Sequence, residues 1–169
     1  MSEMTISQAL RQVARIKGKL VEYKARATLS VSHKKEEKPA FQFSSMMEKI
    51  AQARQDLIVL ESRIAMTNAS VRVDFGSAKI TLSQAIKTLQ EFKDELAWLK
   101  TLPVRASEDT KESDVRYVAG GGHQSVDVYY FCAFPEAKRS DRSDEVQASF
   151  DSLNDAVERK NHETPLVPA

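Results

Sequence analysis

The sequence predicts a mainly helical α+β protein: a long antiparallel helix hairpin, further helices and two small β-hairpins. Three observations predict it. Four segments repeat apolar residues at three- and four-residue steps, the helix period. Three segments carry the capping-box pattern, a Ser or Thr followed three residues later by Glu or Gln. Two short segments have strand character, one by alternation and one by its β-branched and aromatic content. The length of 169 residues predicts one domain spanning 1–169.

The first helix is expected over about 5–28. Thr5-Ile-Ser-Gln8 supplies its capping box, and Ile6, Leu10, Val13, Leu20 and Ala27 form its apolar stripe. Arg11, Arg15, Lys19 and Arg26 lie on the other face, which reads as solvated or as a ligand surface. Residues 30–40 are charged and contain Pro39, so they read as a linker. Phe41 and Phe43 add an apolar anchor. A second helix is expected over about 45–68, capped by Ser45-Met-Met-Glu48. Ile50, Leu57 and Ile64 repeat every seven residues, with Ala53 and Leu60 between them. That seam calls for an antiparallel partner, and the first helix is the nearest.

Val71, Val73 and Phe75 alternate with polar residues, and Gly76-Ser77 supplies a turn, so a hairpin is expected over about 71–80. Thr81-Leu-Ser-Gln84 opens a third helix over about 82–101, with Leu82, Ile86, Leu89, Phe92, Leu96 and Leu99 on one stripe. Residues 104–114 read as irregular. A second hairpin is expected over about 115–134, from Val115–Ala119, a glycine turn and Val126–Phe134. A charged turn at 138–143 then leads to a last helix over about 143–159, with Val146, Phe150, Leu153 and Val157 inward.

Composition narrows the function. The chain has 25 Lys+Arg against 24 Asp+Glu, a net charge of +1. Long nucleic acid needs a surplus of cations to release counterions, so it is not an expected partner. Neither GxxxxGK[ST] nor GxGxxG occurs. One cysteine, Cys132, excludes an internal disulfide and reads as a small core residue in a reducing cytoplasm. No apolar run is long enough to span a membrane, and the first residues lack the apolar core of a signal peptide. His33, His123 and His162 fit no zinc spacing, so no metal and no cofactor is expected. No nucleophile elbow, Cys/His pair or spaced acid pair argues for catalysis.

The candidate binding residues cluster around the hairpins. Arg72, Lys79, Arg105 and Arg116 are positioned to clamp phosphate, which Arg grips in a bidentate way. Phe75, Tyr117 and Tyr130 offer stacking faces. The alternative is that the arginines guard strand edges and the aromatics are core. Asn68, in Met66-Thr67-Asn68, reads as a helix C-cap or as an amide aimed at a ligand, and Asn161 and Thr164 in the tail divide the same way.

The string ISQALRQVARIKGKL, the helix end Ile64-Ala-Met-Thr-Asn68 and the tail Asn161-His-Glu-Thr-Pro-Leu166 resemble the first type of phage Thoeris anti-defence protein. The layout is also similar to an uncharacterised bacterial family described as septicolysin-like. The Thoeris resemblance implies a cytoplasmic, non-enzymatic sponge. Such proteins bind cyclic ADP-ribose isomers such as glycocyclic ADP-ribose, and some also take cyclic di- or trinucleotides of a second, CBASS-type defence pathway. It implies hexamers built from dimers, with pockets between protomers. By motif it points to Asn68 and the Arg72–Phe75 hairpin. Arg105, Arg116, Asn161 and Thr164 follow by residue type and chain position. The competing expectation is an oligomeric helical scaffold with no small-molecule site. A nucleotide hydrolase using the scattered carboxylates ranks last.

Overall fold

A computed structural model describes residues 4–168. Four helices and four strands follow in the order α1 (Ile6–Ser30), α2 (Phe43–Ser70), β1 (Arg72–Phe75), β2 (Ala78–Thr81), α3 (Leu82–Thr101), β3 (Asp109–Val118), β4 (Gly122–Phe131) and α4 (Glu136–Glu163). The fold is mainly helical α+β, as expected. The chain forms two compact units. One comprises residues 1–86 and 155–169, the other residues 87–154.

In the first unit, α1 and α2 form the antiparallel hairpin. Leu20 and Ala27 pack with Met46, Ile50 and Ala53, flanked by the half-buried Ile16, Tyr23, Phe41 and Leu57. Lys17 Nζ meets Glu61 Oε1 at 2.8 Å further along the seam. Both boxes Thr5–Gln8 and Thr81–Gln84 form, each with reciprocal backbone-to-side-chain bonds. The Ser45 box does not start α2. The helix begins at Phe43 with Gln42 as its N-cap, which makes no side-chain cap bond. The Gln42 carbonyl instead accepts from the Met46 N–H, adding a turn ahead of the expected start. Leu10, expected in the core, is exposed, because the buried stripe of α1 runs through Ile6, Ala9 and Val13 instead.

β1 and β2 pair antiparallel, with Arg72 opposite Thr81 and Asp74 opposite Lys79. Gly76 makes the turn at φ +57°, which L side chains disfavour. Val73 is 2% exposed, and the Leu82 N–H donates to the Val71 carbonyl, so both ends of the hairpin are rooted.

In the second unit the long hairpin departs from expectation. Residues 109–114 are strand, not irregular chain, and β3 pairs with β4 from Asp109↔Phe131 to Val118↔Gly122. The polar pattern hid the strand because both of its faces meet solvent there. Gly120 and Gly121 turn the chain at φ +119° and +82°. The expected end of this hairpin at Phe134 falls back to Phe131. The charged segment 138–143 is helix rather than turn. It contains no Gly or Pro, and Arg139–Glu136 and Arg142–Glu145 pair one turn apart within α4. Arg142 also bonds Glu95 at 2.8 Å, and these carboxylates raise the Arg142 pKa, Glu95 foremost. Cys132 is half-buried and free. Its thiol donates to the Phe134 carbonyl at 3.3 Å.

Candidate functional site

The expected site residues fall into separate groups. Thr164 belongs to a clasp that ties the tail to the rest of the first unit, and Asn68 follows Thr67, the centre of that clasp, along α2. Thr67 is 1% exposed, and its hydroxyl donates to the Arg63 carbonyl at 2.7 Å and accepts the Val167 N–H at 3.1 Å. Arg63 Nε donates to the Val167 carbonyl at 2.9 Å. The Thr164 carbonyl accepts the Ile6 N–H, Thr5 bridges Pro165, and the Leu166 N–H donates to the Met4 carbonyl. Thus Thr67 holds the tail at Val167, while Thr164 and Leu166 bond the segment Met4–Ile6 that opens α1. Asn68 is not the C-cap, because α2 continues to Ser70 and Val71 caps it. The Asn68 Oδ1 is buried and carries no hydrogen bond. Asn161 lies by a shallow depression with Leu10, Arg11 and His162.

On the short hairpin, the pairing register puts Arg72, Asp74, Lys79 and Thr81 on one face. Phe75 shares the other face with Val73 and Ile80, so it presents no stacking surface beside Arg72. Lys79 Nζ is 3.3 Å from Asp74 Oδ1, both exposed. Arg72 is exposed.

In the second unit, Arg105 is half-buried. Its guanidinium lies 3.5 Å from the centre of the Tyr130 ring and pairs with Glu112. Its charge is therefore already matched and its flat face already stacked. Arg116 is exposed opposite Gln124, four residues beyond Glu112 on the same strand. At about 3.4 Å per residue that is roughly 14 Å along the ribbon, too far for both guanidiniums to grip one phosphate. Glu108 bonds Lys138, and that hydrogen bond and charge hold its carboxyl below the ordinary glutamate value.

Two features escaped the sequence reading. The first is the open face of the long hairpin. Register places Lys111, Val115, Tyr117, His123, Asp127, Tyr129 and Phe131 on it. Tyr117 is 82% exposed, Phe131 75%, Tyr129 74% and Val115 56%. Asp109 lies on it too, opposite Phe131, and Lys111 pairs with Asp127 at 2.9 Å. The strand expected to be loop concealed this face. The second is a groove of about 460 Å³ along α1 and α2, lined by Arg15, Lys19 and Lys49 among others. The cations of α1 were visible in the sequence, but the answering cation on α2 was not.

Among the described residues no three His, Cys, Asp or Glu are grouped to hold a metal ion, and no helix is long and apolar enough to cross a membrane. No curated protein matches the chain. A crystal structure of a functionally unknown conserved protein from Corynebacterium diphtheriae shares the fold, with a TM-score of 0.71 at 16% identity over 98% of this chain and 100% of that one. The model of a family of unknown function, DUF6847, matches residues 13–166, which is most of the length, and the chain belongs to that family.

Proposed function

We propose that this is a non-enzymatic binding protein that works as a homo-oligomer, with the long hairpin as its assembly surface. The open aromatic face of β3–β4 carries the reading. Four large apolar residues more than half exposed on one ribbon face are unusual on a monomer and mark an interaction surface. A two-stranded ribbon is also marginal in water without a packing partner. The face complements itself. Tyr129 and Phe131 lie at its base opposite Lys111 and Asp109, Tyr117 and His123 at its tip, and Asp127, paired with Lys111, sits between. A two-fold axis through the middle lays the tip aromatics of one copy on the base aromatics of another. Light scattering coupled to gel filtration tests this. The wild-type chain should run as an oligomer and the Tyr129→Ser, Phe131→Ser variant as a monomer. A wild-type chain that stays monomeric at its highest soluble concentration refutes the assembly.

A second reading is favoured by Arg72 and Arg116, which are exposed and form no ion pair among the described residues. Together with the Thoeris resemblance, they support a phage-encoded sponge acting in the host cytoplasm. It captures cyclic ADP-ribose isomers or cyclic di- and trinucleotides intact, in pockets completed between the protomers of a hexamer. Calorimetry with that ligand panel, followed by recovery of the ligand, tests it. Heat without chemical change in the ligand supports it, whereas no heat with any member refutes it.

A further inference from the structure

We propose that the groove between α1 and α2 binds a free, small phosphate compound carrying at least two negative charges, such as a diphosphate. It is separate from the ribbon face and from every residue discussed above as a nucleotide clamp. Arg15 and Lys19 stand one turn apart on α1, and Lys49 approaches the same groove from α2. The carboxylate of Asp56, which also lines it, accepts a hydrogen bond from Gln52 at 2.7 Å. Three cations against one acid leave a local surplus of two positive charges in a chain whose total is +1.

That surplus runs against local stability. Like charges one turn apart disfavour a helix. On the same hairpin Lys17 pairs with Glu61 across the seam, and Arg26 with Glu22 along α1. Beside Arg15 and Lys19, α2 supplies Lys49 as well as Asp56, so the one acid there leaves two of the three cations unmatched. Among the described residues neither Arg15 nor Lys19 forms an ion pair. Lys49 Nζ lies 5.9 Å from the centre of the Tyr23 ring, at the outer range of a cation–π contact, which holds the ammonium at the groove wall. A fork from Arg15 and point charges from Lys19 and Lys49 on both walls suit a ligand with several phosphoryl oxygens.

Inorganic pyrophosphate is the probe. Titration into ¹⁵N-labelled full-length protein should give saturable amide shifts confined to residues 12–23 and 49–56. Arg15→Gln with Lys49→Gln should weaken binding about tenfold or more, the loss expected when a charge-assisted hydrogen bond goes. Arg54→Gln lies against the opposite groove of the same hairpin and should leave binding unchanged. The variants remove exposed side chains, and a circular-dichroism melt confirms that they fold. Absent saturation, shifts centred elsewhere, or a double variant that binds like wild type overturns the proposal. Sedimentation with phosphatidylglycerol vesicles separates the sources of phosphate. Vesicle binding that pyrophosphate cannot displace overturns the free ligand in favour of a lipid surface.

Discussion

The two β-hairpins use the same pairing and reach opposite ends. β1–β2 has four residues per strand, and β3–β4 has ten. The short hairpin buries Val73 and passes straight into Leu82, which is fully buried. The long one leaves Val115, Tyr117, Tyr129 and Phe131 in solvent. Apolar residues in alternating register predict a covered face only when something lies over it. The short hairpin stabilises the first unit, whereas the long one carries apolar surface that the chain itself does not cover. Stability and recognition are therefore divided between the two.

Core truncation breaks the comparison most severely. Leu82→Ala removes a fully buried side chain at the root of the short hairpin and should cost about 3 kcal/mol. Thr67→Val, close in shape, removes the hydroxyl that joins α2 to the tail. It leaves the half-buried Val167 N–H without its acceptor and should cost about 1 kcal/mol. Urea denaturation followed by circular dichroism measures both. A Thr67→Val variant as stable as wild type means the clasp is incidental.

Some of this was legible in the sequence and some was not, for physical reasons. The capping boxes at Thr5 and Thr81 are local, three residues from donor to acceptor, and both form. The heptad of Ile50, Leu57 and Ile64 correctly called for a helix partner. The start of α4 was missed because Lys138–Ser143 has no apolar stripe, and ion pairs hold that turn instead. The clasp was hidden because Thr67 and Val167 are 100 residues apart in sequence. Arg105 was visible as a cation, but its match with Glu112 and Tyr130 depends on β3, which polarity concealed.

On the long hairpin, Tyr129→Ser with Phe131→Ser should change monomer stability by no more than about 0.5 kcal/mol per site, as for other surface positions. The same pair should abolish self-association. If these exposed rings cost as much as Leu82, the face is covered within the monomer and the contrast between the hairpins disappears.

The smallest effect is electrostatic and lies in the second unit. The Lys138 ammonium, through its hydrogen bond and its charge, lowers the Glu108 pKa from the ordinary 4.5. A carboxyl whose folded pKa lies below its unfolded value binds protons more readily when unfolded. It therefore stabilises the fold above the unfolded pKa, and that contribution fades as pH falls through the folded pKa. Both groups are exposed, so solvent screens the link and its effect on stability is slight. A direct titration resolves what a melt cannot. The Glu108 carboxyl carbon, followed by NMR, should titrate with a midpoint below the ordinary value. Lys138→Met should return that midpoint upward, while Tyr129→Ser leaves it in place. An unshifted wild-type midpoint means the bond to Lys138 does not persist in solution. The base of the long hairpin, where the Glu108 carbonyl accepts the Cys132 N–H, would then rest on backbone pairing without this ionic tie.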